Sequence, residues 1–283
     1  MLLDGKKVSD YIKEEIKKEV QKIDELGLQQ PGLAVLMVGE NKASEVYVNS
    51  QMKSCTELGI KGECVRLPEN STEEEIITVI ERLNSDKSID GILIQLPLPE
   101  HIHKERVLEK ISPSKDADCY TSTKIGSVFL DEKNTAYPCT PFGILEILKY
   151  YKISIEGKDV VIVGRSNIVG KPLAIMFINM GATVTVCNSK TKSLDEKTRN
   201  ADILIACVGQ KHFIKKEMVK PGAVVIDVGI NRVDGKICGD VDFDEVSKIA
   251  SYITPVPGGV GPMTVAMLFK NCMNLYKKNR GEK

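Results

Sequence analysis

Short apolar runs alternate with amphipathic segments along this 283-residue chain, and this alternation constrains the fold more than any other feature. The runs at 33–39, 91–94, 159–163, 203–208 and 223–228 consist mainly of Val, Ile, Leu and Ala, as in strands that are buried on both faces. Several of the intervening segments place apolar residues three or four apart, which is the period of a helix packed on one side. Parallel strands joined by helical crossovers satisfy both patterns, so we predict an α/β fold.

The first half of the chain illustrates these patterns. Apolar residues at 8, 12, 16, 20 and 23 predict a first helix, and Ser71-Thr72-Glu73-Glu74 has the spacing of a capping box, which predicts that another helix begins there. The predicted elements are a helix at 8–23, a strand at 33–39, a helix at 43–58, a strand at 64–67, a helix from 71 and a strand at 91–94.

A second alternation begins after a Pro-rich segment at 137–141 and a helix at 142–150. Four predicted strands follow, at 159–163, 183–187, 203–208 and 223–228, and a last helix is predicted at 263–276. This pattern is typical of a doubly wound sheet. We therefore predict two domains, an N-terminal three-layer α/β substrate domain at 1–140 and a Rossmann-like nucleotide-binding domain at 141–257. Spacing alone does not decide whether the C-terminal segment 258–283 rejoins the first domain.

Charge and cysteine content exclude several classes of protein. Lys plus Arg and Asp plus Glu both number 39, which argues against a nucleic-acid partner. No apolar run is long enough to span a membrane, and the N-terminus lacks a cleavage-site pattern, so we expect neither a membrane partner nor a signal peptide. Eight scattered cysteines without a CxxC pair favour a reducing cytoplasm over disulfides or zinc, and His101 and His103 lack a third metal ligand.

A glycine-containing loop follows the strand at 159–163. Gly164 permits a tight turn, and Gly170 lets the next helix approach the sheet, so N–H groups at that helix start are predicted to face a pyrophosphate. The spacing is G-x-x-x-x-x-G instead of G-x-G-x-x-G, and a structural turn without a ligand is the alternative. The strand before the loop and the alternation after it favour a dinucleotide site.

The end of the next strand indicates which dinucleotide binds. An acidic residue at this place would hold the ribose diol of NAD, but 187–190 read Cys-Asn-Ser-Lys. Arg165 and the Ser189 hydroxyl are suited to bracket a 2′-phosphate, which favours NADP. The alternative is that Arg165 and Lys190 are solvated surface charges.

Polar side chains of the first domain form a second candidate site. Gln95 follows a strand end, where ligands bind to open parallel sheets, and Tyr47 and Gln51 are one turn apart and so share a helix face. Asp118 lies in a predicted loop, and the segment 257–261 offers glycine backbone for close contact. Each feature is weak by itself, because a helical Tyr is more often core and a loop Asp more often a turn former.

Five motifs in this order resemble the bifunctional methylenetetrahydrofolate dehydrogenase/cyclohydrolase family. They are Val38-Gly39 with Ala43-Ser44-x-x-Tyr47-Val48, the run 91–99 ending in Gln-Leu-Pro-Leu-Pro, Pro138-Cys139-Thr140-Pro141, the loop 164–172 and the segment 255–264. The resemblance implies that the chain oxidises 5,10-methylenetetrahydrofolate with NADP and hydrolyses the methenyl product to 10-formyltetrahydrofolate, as part of one-carbon metabolism. It also implies a homodimer, with the folate in a cleft between the domains and the C-terminal helix rejoining the first domain.

The resemblance assigns roles residue by residue. Tyr47 and Gln95 would flank the one-carbon unit, and Asp118 would hydrogen-bond the pterin. The residues that would line the NADP site are Gly164, Arg165, Ser166, Ser189 and Ile230. Gly258 and Val260 would help to wall the folate pocket.

One departure from the family bears on catalysis. The family pattern Tyr-Val-x-x-Lys carries the expected catalytic base, and the lysine position is Gln51 here. The family's Asp-Val-Asp-Gly is Asp-Ala-Asp-Cys at 116–119, and its Phe-His-Pro is Tyr-Thr-Ser at 120–122. We therefore expect the dehydrogenase to survive and the cyclohydrolase to be weak, unless another lysine replaces the base. Lys53 should point away from the site. Lys124, in the altered loop, is a freer candidate for the replacement base.

Two other functions are weighed against this one. A different two-domain dehydrogenase, for a hydroxy acid or a shikimate-like substrate, would need a Lys–Asp or His-based acid/base pair, which the first domain does not show. The second alternative is a non-catalytic folate- or nucleotide-binding protein that lost its catalytic activity together with the lysine. NADPH formation from NADP and methylenetetrahydrofolate distinguishes the three.

Overall fold

Two compact units make up the chain in the computed structural model, which describes residues 1–132, 135–233 and 235–281, without the side chain of Ala43. The three-stranded unit consists of Tyr11–Tyr137 and Leu268–Lys283, and the five-stranded unit consists of Met1–Asp10 and Pro138–Met267. Both sheets are parallel, which confirms the predicted α/β class. The last two residues of the predicted segment 258–283 lie outside the described residues.

The three-stranded unit has the strand order β2-β1-β3. Side chains on both faces of the strand Gly32–Val38 are buried, and its alternate residues Ala34, Leu36 and Val38 pack with Ile76 and Ile80 of the helix Glu73–Ser85. Its elements, in chain order, are α1 (Gly5–Glu25), whose first residues belong to the other unit, β1 (Gly32–Val38), α2 (Lys42–Leu58), β2 (Lys61–Leu67), α3 (Glu73–Ser85), β3 (Gly91–Ile94), α4 (Lys104–Leu108) and α5 (Ser122–Phe129).

The capping box of α3 lies one residue later than predicted. Thr72, not Ser71, is the N-cap, and its hydroxyl accepts from the N–H of Glu75 while the Glu75 carboxylate accepts from the N–H of Thr72. Both pairs have the S/T-x-x-E spacing, so the sequence alone could not decide between them.

The five-stranded unit has the parallel order β10-β7-β6-β4-β5. Its elements are α6 (Cys139–Tyr150), β4 (Asp159–Val163), α7 (Gly170–Asn179), β5 (Thr183–Cys187), α8 (Leu194–Thr198), β6 (Ile203–Ala206), β7 (Val224–Asp227), β8 (Asn231–Val233), β9 (Lys236–Cys238), α9 (Phe243–Val246), β10 (Tyr252–Ile253) and α10 (Val260–Asn279), whose last residues belong to the three-stranded unit.

Three features of this unit differ from the sequence prediction. The antiparallel hairpin β8–β9 and the strand β10 were not predicted, because strands of two or three residues carry no readable period. The last helix begins at Val260, three residues earlier than predicted.

Candidate active site

The carboxyl ends of β1 and β3 lie side by side, because the two strands pair in parallel. The chain at 115–117 extends this sheet by running beside β3 in the same direction, with the N–H of Ala117 donating to the Ile92 carbonyl at 3.3 Å. Asp118 therefore lies at the same edge of the sheet as Gln95, the residue after β3. Open parallel sheets bind their ligands at this edge.

Gln95 and the start of α2 meet at this edge. The N–H of Gln95 donates to the Leu36 carbonyl at 2.8 Å, and its side-chain amide donates to the Leu96 carbonyl at 2.9 Å. Ser44, in the first turn of α2, donates to the same Leu96 carbonyl at 3.5 Å. Tyr47 lies three residues further along α2, with its side chain 49% exposed. The structure thus places the helical turn of Tyr47 beside the loop of Gln95.

Gln51 lies on the buried stripe of α2, together with Ser44, Val48, Cys55 and Leu58. Its side chain is 6% exposed, and its Oε1 has no hydrogen-bond partner within the described part of the chain. A buried acceptor without a donor costs about 1–3 kcal/mol. That cost disappears if a ligand N–H or a water molecule donates to Oε1, so Gln51 has the properties of an acceptor in a binding site. Tyr47, one turn earlier, has more access to solvent.

Asp116 organises the loop that carries Asp118. It is buried, and its carboxylate accepts from the N–H of Tyr120 at 3.1 Å and of Thr121 at 2.7 Å. Burial raises the pKa of Asp116, and the two hydrogen bonds oppose that effect. Cys119 adopts φ +59°, a conformation that favours glycine, and burial raises the pKa of its thiol. A cysteine thus occupies a backbone conformation that glycine adopts more readily.

The two lysines considered as replacement bases have different environments. Lys53 is exposed and pairs with Glu57 at 3.7 Å, so it points into solvent. Lys124 is 4% exposed, and its Nζ donates to the Thr135 hydroxyl at 3.2 Å. Burial lowers the pKa of Lys124, and the nearby charge of Lys278 lowers it further. Lys124 is therefore a buried side chain with a hydrogen-bond partner, whereas Lys53 is exposed.

A cavity of about 260 Å³ opens beyond the carboxyl ends of β1 and β3. Its lining consists of Val38, Gly39, Glu40, Asn41, Glu69, Pro97, Leu98 and Pro99. Asn41 accepts from the N–H of Ser44 at 3.1 Å and so shapes the entry to α2. Sequence reasoning missed Glu40, Asn41 and Glu69. The available signal was their position directly after strands, where polar residues meet ligands.

In the five-stranded unit, the loop between β4 and α7 packs tightly at its glycines. A Cβ at Gly170 would lie 2.3 Å from the Gly164 carbonyl oxygen, and Gly164 itself adopts φ +133°. The hydroxyl of Ser166 accepts from the N–H of Val169 at 3.2 Å and of Gly170 at 3.4 Å. Both N–H groups thus have an acceptor within the loop, and that this helix start faces a pyrophosphate stays a prediction.

Exposed side chains beside this loop remain suited to a phosphate. Arg165 and Ser166 are exposed directly after β4, and Ser189 and Lys190 are exposed just after β5. The two strand ends are adjacent, since the N–H of Gly164 donates to the Cys187 carbonyl at 2.9 Å. A guanidinium, two hydroxyls and an ammonium at one edge fit the donor set of a phosphorylated ribose.

The remaining predicted residues of this unit differ in exposure. Ile230 follows β7 and is 55% exposed, Gly258 adopts φ +101°, and Val260 is buried at the start of α10. Sequence reasoning missed Asp227 and Asp240, two buried carboxylates below Ile230. In the sequence, the only indication was an acidic residue near the end of a strand with a glycine within two residues.

Residues 1–132, 135–233 and 235–281 contain neither a cluster of metal ligands nor a helix suited to cross a membrane. Within these ranges, no group of three or more His, Cys, Asp or Glu side chains is arranged to hold a metal ion. His101 contacts the carbonyl of Ser71 at 3.0 Å through its Nε2. Among the helices in the same ranges, none combines the length and the apolar character that a membrane crossing requires.

Two family models match most of the chain. The catalytic domain of tetrahydrofolate dehydrogenase/cyclohydrolase matches residues 3–118, and the NAD(P)-binding domain of the same enzymes matches residues 138–280. A curated relative, the bifunctional protein FolD of Halalkalibacterium halodurans, is 53% identical over 98% of this chain and 99% of its own length.

Solved structures show the same likeness. The FolD methylenetetrahydrofolate dehydrogenase/cyclohydrolase of Campylobacter jejuni superposes with a TM-score of 0.96 at 51% identity, covering 99% of both chains. The methylenetetrahydrofolate dehydrogenase-cyclohydrolase of Trypanosoma brucei, solved with NADP cofactor and an inhibitor, superposes with a TM-score of 0.93 at 39% identity, covering 99% of this chain and 98% of its own. Both likenesses extend over the two units.

Proposed function

This chain belongs to the tetrahydrofolate dehydrogenase/cyclohydrolase family, and from that premise we propose that its two activities are strongly unequal. It is an enzyme that oxidises 5,10-methylenetetrahydrofolate to 5,10-methenyltetrahydrofolate with NADP. The second reaction of the family, hydrolysis of the methenyl product to 10-formyltetrahydrofolate, is slow in this chain. The observation that carries the proposal is Gln51, a buried amide with an unpartnered oxygen at the position of the family's lysine.

Oxidation makes modest demands on the side chains. The methylene C–H bond breaks with both electrons leaving as hydride, and a folate nitrogen lone pair forms the C=N bond of the methenyl cation. NADP, when bound, supplies the nicotinamide ring that accepts this hydride. Tyr47 and Gln95 orient the one-carbon unit, and Asp118 accepts from the pterin. None of these residues has to take a proton, so the reaction depends mainly on positioning.

Hydrolysis requires a base that this site lacks. A water molecule that attacks the methenyl carbon must lose a proton, and a lysine with a lowered pKa can accept it. The Gln51 amide can accept a hydrogen bond from that water through Oε1, but it is not basic near neutral pH. General base catalysis contributes about 10²–10⁴-fold, so the loss of lysine slows hydrolysis by about this factor.

Neither nearby lysine replaces the base in this proposal. Lys53 is engaged with Glu57 at the surface. Lys124 has the lowered pKa that a base needs, but its buried Nζ is bonded to Thr135 and lies among the charges of the 116–124 loop. We assign Lys124 to stabilising this loop.

The five-stranded unit carries the residues proposed to hold NADP. Gly164 and Gly170 let the backbone turn tightly, Arg165 and Ser189 present a cation and a hydroxyl to the 2′-phosphate, and Ser166 and Ile230 line the same edge. The lack of an acid at 187–190 supports NADP over NAD. Gly258 and Val260 of this unit are proposed to contribute to the folate pocket.

A homodimer is part of the proposal, supported by the edge strand β5. Along β5 only Cys187 is buried, and the nearby Ile178, Met180 and Val186 are exposed apolar side chains. A second copy that covers this edge would remove apolar area and unpaired strand groups from water. Val186→Lys should shift the mass measured by light scattering from dimer to monomer, whereas Leu26→Lys should leave it unchanged. A wild-type protein that is monomeric at micromolar concentration would contradict the assignment.

A cytoplasmic location completes the proposal. All eight cysteines carry free thiols, which favours a reducing compartment.

Two rates measured on the same preparation test the unequal activities. NADPH formation from methylenetetrahydrofolate should be readily measured, and methenyltetrahydrofolate hydrolysis should exceed the uncatalysed rate only slightly. Lys53→Ala and Lys124→Met should change neither result. Fast hydrolysis that disappears in Lys124→Met would identify a replacement base, and fast hydrolysis in all three proteins would refute our account of Gln51.

A further inference from the structure

Two buried carboxylates lie below the turn that carries Ile230. Asp227 ends β7, and Asp240 follows the hairpin β8–β9; both are buried in the five-stranded unit. The N–H of Asp240 donates to Asp227 Oδ1 at 2.9 Å, so the two residues form one network. Neither residue has a role in the reaction described above.

Asp240 joins two turns that follow neighbouring strands. Its Oδ2 accepts from the N–H of Val208 at 2.6 Å and of Gly209 at 2.9 Å, and its Oδ1 accepts from the N–H of Gln210 at 2.9 Å. The same Oδ1 accepts from the side-chain amide of Asn231, also at 2.9 Å. One carboxylate therefore sets the spacing between the turn after β6 and the turn after β7.

Asp227 holds the other side of the second turn. Its Oδ1 accepts from the N–H of Gly229, and its Oδ2 accepts from the N–H of Val241, both at 2.9 Å. Ile230 lies between Gly229, which is bonded to Asp227, and Asn231, which is bonded to Asp240. The backbone at Ile230 is thus held through both neighbours, and its exposed side chain projects from this held position.

The fit around the pair leaves no room for extra atoms. A Cβ on Gly229 would lie 2.2 Å from Asp240 Oδ1, and a Cβ on Gly239 would lie 1.9 Å from Asp227 Oδ2. The glycines allow the backbone to approach the carboxylates closely. This close packing indicates that the two carboxylates determine the geometry of the turn as well as its folding.

We propose that Asp240, acting through Asn231, is a positioning residue that holds Ile230 as a rigid wall against the bound dinucleotide. The inference rests on the proposed function, in which Ile230 lines the NADP site. The strand order of this sheet reverses between β4 and β6, where the ligand crevice of a doubly wound sheet opens, and the turns after β6 and β7 lie together on one side of it. The link between these two turns therefore sets where Ile230 stands relative to a ligand. A preformed wall avoids the entropy cost of ordering the turn at each binding event.

A double-mutant cycle on NADP affinity tests the proposal. Ile230→Ala removes the wall, and Asn231→Ala removes its link to Asp240 while leaving that carboxylate three N–H donors. In Asn231→Ala, NADP binding has to re-order the turn that the hydrogen bond held before, so affinity falls by that ordering cost. The bond, worth a factor of about 10 or more, sets the scale, and we expect NADP binding to weaken by about 5- to 20-fold. If Asn231 acts through Ile230, the double variant should bind NADP within about twofold of Ile230→Ala.

The possible results separate the inference from its premise. Losses that multiply in the double variant would refute the positioning role and leave the proposed function intact. An unchanged NADP affinity in Ile230→Ala would refute the assignment of Ile230 to the cofactor site and the inference with it. A positioning role also predicts an unchanged KM for the folate in Asn231→Ala.

Matched variants control for damage to the fold. Asn200→Ala removes a comparable amide hydrogen bond, to the Glu196 carbonyl at 3.0 Å, at an exposed site of the same unit. It should leave NADP affinity unchanged. If Asn231→Ala does not fold, Asn231→Ser keeps a shorter donor and the same cycle applies. A loss of NADP affinity in Asn200→Ala equal to that in Asn231→Ala would overturn the specific role of Asn231.

Discussion

Replacing Gln51 by lysine should raise the rate of methenyltetrahydrofolate hydrolysis, which we propose to be slow in this chain. The substitution places an amine on the buried stripe of α2, where the present side chain is 6% exposed and its Oε1 has no partner. A lysine acts as a base near pH 7 only if its pKa falls from about 10.4 by about 3 units, which corresponds to about 4–5 kcal/mol. Burial alone shifts lysines by up to about 3–5 units, so the environment at position 51 is sufficient.

The expected gain follows from the contribution of a general base. A factor of about 10²–10⁴ in rate corresponds to a barrier lower by about 3–5 kcal/mol. Gln51→Lys should therefore hydrolyse methenyltetrahydrofolate about 10²–10⁴-fold faster than the wild type, measured by loss of the methenyl absorbance. NADPH formation by the same preparation serves as the internal control and should change much less, because oxidation needs no base.

Gln51→Met separates basicity from the change in shape. Methionine fills a similar volume without an acceptor or a base, so hydrolysis should stay at or below the wild-type rate. The reasoning would be refuted if a folded Gln51→Lys that still forms NADPH hydrolysed the methenyl compound no faster than Gln51→Met. Equal hydrolysis in the wild type and in Gln51→Lys would refute it as well.

Three further predictions concern the cofactor, pH and the backbone. Arg165→Ala should raise the KM for NADP by about 10- to 100-fold and leave the KM for NAD nearly unchanged, because only the 2′-phosphate makes a charge-assisted bond to the guanidinium; equal effects on both coenzymes would contradict the assignment. Burial raises the pKa of Asp227 to about 6, above its ordinary 3.8, so the folded protein favours the protonated carboxyl. The contribution of this group to stability is therefore complete below pH 4 and is lost as pH rises through 6. Relative to Asp227→Asn, the wild type should lose about 3 kcal/mol of unfolding free energy between pH 4 and pH 7 in denaturant titrations, and parallel pH profiles would contradict this. Lys152 adopts φ +57° just after α6, so Lys152→Gly should raise the unfolding free energy by about 0.5–1 kcal/mol, whereas Lys149→Gly, within the helix, should lower it by a similar amount.

Several elements could be predicted because their signals are local. The strands at 91–94, 159–163 and 183–187 have the predicted bounds, since short apolar runs ended by glycine or polar residues are readable within a few positions. The register of the α3 capping box was not decided by the sequence, because Ser71 and Thr72 both precede a glutamate by three residues. The hairpin β8–β9 was too short to show a period.

The candidate site was only partly readable. The motifs identified Tyr47, Gln51, Gln95 and Asp118 as a group, and the structure brings the loops of Gln95 and Asp118 to one edge of the sheet. That Gln51 is buried with an unpartnered oxygen became visible only when α2 packed on its neighbours. The burial of Lys124 likewise depends on the loop around Asp116 and on Thr135.

The alternation of strands and helices can be read from the amino-acid sequence. So can the nucleotide loop at 164–172, the folate-site motifs, and the glutamine at position 51 where the family pattern has lysine. Which of these side chains are buried, which acceptors lack a donor, and that Asp240 bonds to the turn after β6, about 30 residues earlier in the chain, depend on the folded structure. Periodicity and turn chemistry act over a few residues and can be read locally. Burial and hydrogen-bond partners depend on contacts between distant segments, which exist only after the chain has folded.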